Sequence, residues 1–125
     1  MPRQAFQPEG RAKPKPPYSS VVVSGDTVWT AGQIANDAEG NLIGGGIAEQ
    51  TRRSLENVRA CLKATGCTMD DVVKVTAFLV DLDDFAGYNE VYAGFFSEPY
   101  PARTTVGARL PTGLLVEIEA VARIP

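Results

Sequence analysis

The segment that most constrains the fold is residues 72–81, with the sequence VVKVTAFLVD. Its odd-numbered side chains from 73 to 79 are all apolar: Val73, Val75, Ala77 and Leu79. Its even-numbered side chains over the same stretch are mixed: Lys74, Thr76 and Phe78. Alternate side chains of a strand point to opposite faces, so this pattern predicts a strand with one face buried in a core. Any fold for this chain must cover that apolar face with further elements.

Four more strands are predicted in two pairs. Residues 20–24 and 27–31 are rich in β-branched side chains and are separated by a Gly-Asp dipeptide, which favours a tight hairpin turn. Residues 104–110 and 114–122 flank the turn-forming residues 111–113, Pro-Thr-Gly, and this pattern predicts a second hairpin. We therefore expect the central strand to share a sheet with two hairpins.

Two helices are predicted between these strands. Apolar side chains recur at helical spacing over residues 47–65, and Gly66 stands where a left-handed C-terminal cap is expected. Aromatic side chains recur at three- and four-residue spacing from Phe85, with Asp83 or Asp84 available as the N-cap. The resulting order is β-β-α-β-α-β-β, which predicts an α+β fold with a single mixed sheet and two helices packed on one face.

The face of the sheet opposite the helices is predicted to be half apolar. On the last strand, the side chains expected to face the helices are all apolar: Val116, Ile118, Ala120 and Ala122. The side chains on the opposite face are mixed: Leu115, Glu117, Glu119 and Val121. Such a face is too apolar to leave in water over its whole area, yet too charged for a sealed core. Self-association, with a polar site at the contact between copies, satisfies both conditions.

The chain contains no histidine, which excludes several kinds of active site. Ser-His-Asp and Cys-His nucleophiles, HExxH zinc sites and a histidine general base all require this residue. Cys61 and Cys67 follow neither a CxxC pattern nor a metal-ligand spacing, and we interpret both as free thiols. Catalysis would therefore depend on carboxylates, Arg, Lys, Tyr, hydroxyl groups or the backbone, and we expect no metal.

The length of the chain, 125 residues, indicates one small domain, residues 1–125. Residues 1–17 contain five prolines, which favour an extended N-terminal arm over a helix or a central strand. The net charge of -3 argues against nucleic acid as a partner. No apolar run approaches the ~20 residues of a membrane helix, so we expect no membrane partner and a soluble, cytoplasmic protein.

Four polar side chains on the predicted C-terminal hairpin are candidates for chemistry: Arg103, Thr105, Glu117 and Glu119. Pairing across residues 111–113 would bring the first two within about two rungs, roughly 7 Å, of the two glutamates. All four are expected to share one face of the sheet. By spacing alone, an exposed Arg-Glu ion pair and an active site both stay open as interpretations.

Short motifs follow one another along nearly the whole chain: PYS at 17–19, AGQI at 31–34, QTR at 50–52, LENV at 55–58, VDLDDF at 80–85, YN at 88–89, FF at 95–96, PART at 101–104 and VEIEA at 116–120. Together they resemble the Rid (YjgF) family of reactive-intermediate imine/enamine deaminases. Each motif is short, but their joint order and spacing make a chance match improbable. They also agree with the order of strands and helices predicted from periodicity.

The resemblance implies a chorismate-mutase-like fold that assembles as a homotrimer, with one site in each cleft between neighbouring subunits. It implies that Arg103 binds the carboxylate of a small substrate, a task that suits a planar guanidinium. It further implies that Glu117 orients or activates water. The remaining residues implied to bind substrate in the same cleft are Tyr18, Gly32, Asn89 and Thr105.

The implied reaction is the hydrolysis of an enamine or imine acid, such as 2-aminoacrylate, to a 2-keto acid and ammonia, without a cofactor. This is a hydrolase activity on C–N bonds, of the 2-iminobutanoate/2-iminopropanoate deaminase type. Two alternatives stay open: a non-catalytic binder or sensor of small carboxylate metabolites, and a family branch that acts on aminomuconate-type intermediates. Three departures from the family pattern bear on substrate range, namely Ala31 for a serine, Thr105 for a cysteine and Pro16 for a glycine.

Overall fold

The computed structural model describes residues 2–125 and contains a six-stranded mixed sheet. The strands are β1 (Gln4–Phe6), β2 (Val21–Ser24), β3 (Thr27–Thr30), β4 (Val72–Leu79), β5 (Ala102–Gly107) and β6 (Val116–Arg123). The helices are α1 (Ile47–Lys63) and α2 (Phe85–Ala93). Across the sheet the order is β1-β2-β3-β6-β4-β5, and the β4-β5 pair is parallel while the other neighbours are antiparallel. The predicted α+β fold with one mixed sheet is thereby confirmed.

The N-terminal arm contributes a strand that the sequence did not predict. Gln4–Phe6 pair antiparallel with β2, with Gln4 opposite Val23 and Phe6 opposite Val21. These three residues lie between Pro2 and Pro8, so each has a backbone N–H group and none is restricted like proline. The full order is therefore β-β-β-α-β-α-β-β, which adds one edge strand to the predicted series.

The predicted hairpin between the last two strands is wrong. β5 and β6 do not pair with each other, because β4 lies between them and pairs with both. The chain leaves β4, crosses over through α2 and returns as the parallel neighbour β5, as a parallel pair requires. Residues 111–113 therefore connect two strands that are separated by a third.

The core lies between α1, α2 and one face of the sheet. Val75, Ala77 and Leu79 of β4 are fully buried there, as the alternation predicted. Val73 does not belong to this face and is 47% exposed, because a register irregularity between Val72 and Lys74 gives the buried position to Val72. The alternation in β6 follows the prediction, since Val116, Ile118, Ala120 and Ala122 are all buried.

The ends of both helices are fixed by local hydrogen bonds. After α1, Gly66 has φ +83, its N–H donates to Lys63 O and the Cys67 N–H donates to Leu62 O, which is the pattern of a Schellman cap. Before α2, the Asp81 side chain accepts a hydrogen bond from the Asp83 N–H at 2.9 Å. This bond caps the 3-10 turn Leu82–Asp84, which leads directly into α2. Asp84 occupies the N-cap position of α2, as one of the two predicted residues, but its side chain makes no cap hydrogen bond.

The opposite face of the sheet carries both apolar and charged side chains. Trp29 of β3 is 44% exposed and Val106 of β5 is 39% exposed on this face, while Phe78, Glu117 and Glu119 are half-buried. We call it the open face, because both helices pack on the other side. Over residues 2–125, no helix combines the length and the apolar character that crossing a membrane requires.

Candidate functional site

Three of the predicted site residues line one cavity. Tyr18, Gly32 and Glu117 surround a space of about 780 Å³ between the N-terminal arm, the segment that follows β3 and the strand β6. Tyr18 is 56% exposed at its margin, and its N–H donates to Pro16 O at 2.8 Å. Ala31 lines the same cavity. The structure therefore brings together the predicted residues that come from the arm, β6 and the segment between β3 and α1.

Gly32 allows the Glu117 carboxyl group to lie directly against the backbone. A Cβ atom at position 32 would stand 2.8 Å from Glu117 Cδ, which is closer than real Cβ atoms approach a neighbour. Burial raises the pKa of the Glu117 carboxyl, and the nearby negative charge of Glu119 raises it further. A carboxyl group with a raised pKa retains its proton to higher pH, which suits a group that must both give and take protons.

The arm wall of the cavity is fixed by hydrogen bonds to the segment after β3. Arg11 Nη2 donates to Asn36 Oδ1 at 2.7 Å and to Asp37 O at 3.0 Å. Asn57, buried on α1, holds Asn36 from the other side, because its Nδ2 donates to Asn36 Oδ1 at 2.9 Å. The Ala12 N–H donates to Ala38 O at 2.8 Å. These contacts make the arm a structured part of the cavity.

A second group of predicted residues lies at the β5 edge of the sheet. Arg103 Nη1 donates a hydrogen bond to Asn89 Oδ1 at 2.7 Å. The Arg103 guanidinium carbon also lies over three aromatic rings of α2, at 4.7 Å from the centroid of Tyr92, 5.2 Å from Tyr88 and 5.6 Å from Phe85. Such cation–π contacts favour a fixed orientation of the guanidinium plane. Arg103 forms no salt bridge with any carboxylate among residues 2–125.

Thr105 lies on the helix-covered side of β5 and interacts with α2. Its Oγ1 is 3.0 Å from the hydroxyl oxygen of Tyr88, and either oxygen can be the donor. Tyr88 is fully buried, and burial raises the pKa of its hydroxyl. The Thr105 hydroxyl therefore already has a protein partner.

The two groups lie on opposite faces of the sheet, which corrects the expectation that Arg103, Thr105, Glu117 and Glu119 share one face. Arg103 pairs with Val75 on the helix-covered face, whereas Glu117 pairs with Phe78 on the open face. Arg103 lies on β5 and Glu117 on β6, and β4 lies between these two strands. The backbones of β5 and β6 are therefore two strand spacings, about 10 Å, apart. The expectation failed because it depended on the hairpin between β5 and β6.

Sequence reasoning missed two parts of these groups. The aromatic rings beneath Arg103 were interpreted only as a helical stripe, although Phe85, Tyr88 and Tyr92 at spacings of three and four mark one face of α2. The basic residues of the arm, Lys13 and Lys15, were not connected with the site, yet they line the same cavity as Glu117. No local sequence signal reports that contact, since it depends on how the arm folds back.

The arrangement combines a positioned cation with a half-buried carboxyl group. The Arg103 guanidinium is bonded to Asn89 and has no salt bridge among residues 2–125, so its N–H groups can bind the carboxylate of a ligand. The Glu117 carboxyl group, whose pKa is raised, can give and take protons. Among residues 2–125, no cluster of three or more Cys, Asp or Glu side chains could hold a metal ion. The free thiols Cys61 and Cys67 are both buried, and burial raises the pKa of Cys61 to about 12.

Comparisons with known proteins agree on one family. The family model described as Endoribonuclease L-PSP matches residues 9–124. The 2-iminobutanoate/2-iminopropanoate deaminase of Homo sapiens is 44% identical over 108 residues, which cover 85% of this chain and 79% of that protein. The crystal structure of E. coli TdcF with bound serine has a TM-score of 0.89 at 38% identity, covering 98% of this chain and 99% of that chain. The crystal structure of the E. coli YjgF gene product has a TM-score of 0.88 at 38% identity, covering 96% and 98%.

Proposed function

Since this chain belongs to the Rid (YjgF) family, we propose that it hydrolyses small imine or enamine acids to 2-keto acids and ammonia. The observation that carries the proposal is the Arg103 guanidinium, which is fixed by Asn89 and the α2 rings but has no salt bridge among residues 2–125. The substrate class comes from the similar human protein, whose name specifies 2-iminobutanoate and 2-iminopropanoate. TdcF, with bound serine, shows that a similar protein accommodates a small amino acid.

In the proposed reaction, Arg103 binds the substrate carboxylate and Glu117 handles protons. An enamine first takes a proton on its terminal carbon and becomes the imine, and the protonated Glu117 is the donor. Water then adds to the imine carbon while the Glu117 carboxylate accepts a water proton. Glu117 next returns this proton to the nitrogen of the resulting carbinolamine. The C–N bond then breaks as the hydroxyl gives its proton back to Glu117 and becomes the carbonyl, so that ammonia leaves and a 2-keto acid remains. General acid–base assistance of this kind contributes about 10² to 10⁴ in rate.

The proposed site needs two copies of the chain. A small acid of three or four carbons cannot reach from Arg103 to Glu117 within one copy, because the two residues lie on opposite faces and two strands apart. In the proposed homotrimer, Arg103 with Asn89 and Thr105 of one subunit faces Tyr18, Gly32 and Glu117 of its neighbour. The exposed apolar side chains of the open face, such as Trp29 and Val106, support burial of that face by association.

The test of the deaminase proposal is turnover of 2-aminoacrylate generated in the assay by an amino-acid dehydratase. The protein should increase the rate of 2-keto acid formation in proportion to its concentration. The rival function is a carboxylate sensor, which would bind 2-keto acids in the same cleft without turnover. If saturating protein leaves the spontaneous rate unchanged while calorimetry detects carboxylate binding, the sensor replaces the enzyme.

A further inference from the structure

We propose that Lys13 and Lys15 form a subsite for a second negative group of the substrate, a carboxylate at the end remote from the imine carbon. This inference rests on the proposed deaminase function and adds a substrate class to it. The preferred substrates would be imino acids with two carboxylates, one held by Arg103 and the other by the arm.

The cavity has room for such a substrate. Lys13 and Lys15 line the same space of about 780 Å³ as Tyr18, Gly32 and Glu117. Pockets for drug-sized ligands occupy roughly 300 to 1,000 Å³, so a three-carbon acid beside Glu117 would leave most of this cavity unfilled. The arm, with its two lysines, forms part of the wall around this space.

The backbone that carries the lysines is restrained. Just before Lys13, the Ala12 N–H is bonded to Ala38 O. Lys15 stands between Pro14 and Pro16, whose rings fix φ on both sides of it. A restrained backbone loses less entropy when its side chains engage a ligand. The backbone that carries the two lysines is therefore a defined wall of the cavity.

The charges of the two lysines are not neutralised by the protein. Neither lysine forms a salt bridge with any carboxylate in the part of the chain that the structure describes. Arg11, the third cation of the cavity, donates only to the neutral oxygens Asn36 Oδ1 and Asp37 O. An incoming carboxylate would thus meet unpaired positive charge on the arm side of the cavity.

A small dianion fits these charges better than a polyanion such as RNA. The cavity also contains Glu39 and Glu117, and the whole chain has a net charge of -3. Repeated phosphates along a strand would meet these carboxylates as well as the lysines, and nucleic-acid binding sites normally form an extended basic surface. A single remote carboxylate needs only the local pair of cations.

The experiment compares two imines that differ only in the remote group. An L-amino-acid oxidase generates one from glutamate, with a second carboxylate, and the other from glutamine, with a neutral amide of similar shape. Hydrolysis is followed as the fraction of imine that escapes trapping by semicarbazide. The proteins compared are the wild type, the double variant Lys13→Gln/Lys15→Gln, and Lys63→Gln as a control at an exposed lysine outside the cavity.

We expect kcat/KM of the wild type to be about fivefold to tenfold higher for the doubly charged imine, the range for exposed charge pairs acting together. The double variant should reduce this ratio to near one, and Lys63→Gln should retain it. Raising the ionic strength from about 0.05 M to about 0.5 M should reduce the wild-type ratio, because salt screens exposed charges. An equal rate for both imines in the wild type, or an unchanged ratio in the double variant, would overturn the subsite.

A binding measurement separates failure of the subsite from failure of the deaminase function. If neither imine is turned over, calorimetry with 2-oxoglutarate and its 5-amide decides the matter. Tighter binding of 2-oxoglutarate that is lost in the double variant would retain the subsite on a non-enzymatic protein, whereas equal binding would remove it. Lysine-dependent affinity for a short single-stranded RNA that matches or exceeds that for 2-oxoglutarate would also contradict the small-acid assignment.

Discussion

At the residue scale, position 32 is restricted by the Glu117 carboxyl group. An alanine Cβ there would stand 2.8 Å from Glu117 Cδ, so the carboxyl group would have to move. We expect Gly32→Ala to lower kcat about tenfold to a hundredfold, because a small misplacement of a catalytic group has a large effect on rate. Steady-state kinetics and circular dichroism would show this loss in a folded protein. Gly46→Ala is the matched control, since a Cβ at that position meets nothing within 4 Å.

The raised pKa of Glu117 predicts a pH-dependent difference in stability. Because the folded protein holds this proton more tightly than the unfolded chain, ionisation of Glu117 destabilises the fold as the pH rises above the ordinary value of 4.5. The wild type should therefore gain stability relative to Glu117→Gln as the pH falls from about 7 to about 4. Urea denaturation midpoints at both pH values measure this difference. A difference that is constant with pH would contradict the burial of the carboxyl group.

Arg103→Lys separates charge from geometry at the proposed carboxylate anchor. Lysine keeps the positive charge but loses the planar fork, the fixed hydrogen bond to Asn89 Oδ1 and the stacking on the rings of α2. We expect KM to rise about tenfold to a hundredfold, the equivalent of one or two charged hydrogen bonds. The assay should show this loss while light scattering gives the wild-type mass. An unchanged KM would remove Arg103 from carboxylate binding.

At the scale of elements, periodicity predicted what each segment becomes but not where each strand lies in the sheet. The alternation of β4 and β6 and the cap at Gly66 were all visible locally and are confirmed. The insertion of β4 between β5 and β6 was not visible in the sequence, because residues 111–113 suit a wide connection as well as a tight turn. The arm strand Gln4–Phe6 was missed because neighbouring prolines dominated its composition. Strand order depends on pairing between distant segments, which periodicity does not report.

Because periodicity does not report strand order, the sequence predicted only part of the arrangement of the candidate site. Tyr18, Gly32 and Glu117, which the family resemblance placed in one cleft with Arg103, Asn89 and Thr105, line one cavity of the structure. The grouping of Arg103 with Glu117 by hairpin spacing was wrong, since that spacing assumed two neighbouring strands. The roles assigned to these residues stay predictions.

Helix α1 is joined to the C-terminal loop through the buried side chain of Gln50. Its Nε2 donates to Gly45 O at 3.2 Å and to Gly113 O at 3.0 Å, and its Oε1 accepts from the Leu115 N–H at 2.9 Å. We expect Gln50→Ala to lower the free energy of unfolding by about 2 to 4 kcal/mol, because it leaves a cavity and unpaired backbone groups. Chemical denaturation measures this loss. Exposed Glu49→Ala, one residue away, should change it by less than about 0.5 kcal/mol.

At the scale of the whole molecule, two impaired variants should restore each other's activity, measured at substrate concentrations below the wild-type KM, if the site lies between subunits. Arg103→Lys and Glu117→Gln each damage one half of every cleft. In trimers formed from an equal mixture, about a quarter of the clefts would combine an intact Arg103 with an intact Glu117 from the neighbour. Activity should therefore recover toward about a quarter of the wild-type value after the subunits are mixed by reversible unfolding.

No recovery from correctly assembled mixed trimers would place both residues in one subunit's site or remove one of them from the chemistry. The control is a mixture of each variant with itself, treated identically. Mass spectrometry of the intact complexes confirms that the mixed species have formed.

The placement of Arg103 and Glu117 on opposite faces of one sheet has a kinetic consequence. If one copy supplies Arg103 and another supplies Glu117, each active site forms only when copies of the chain associate. Specific activity would then fall on dilution below the dissociation constant of the assembly, and substrate would partly reverse the fall by binding only the assembled form. The amount of this protein in a cell would set the fraction of molecules that can act at all, as well as the total rate.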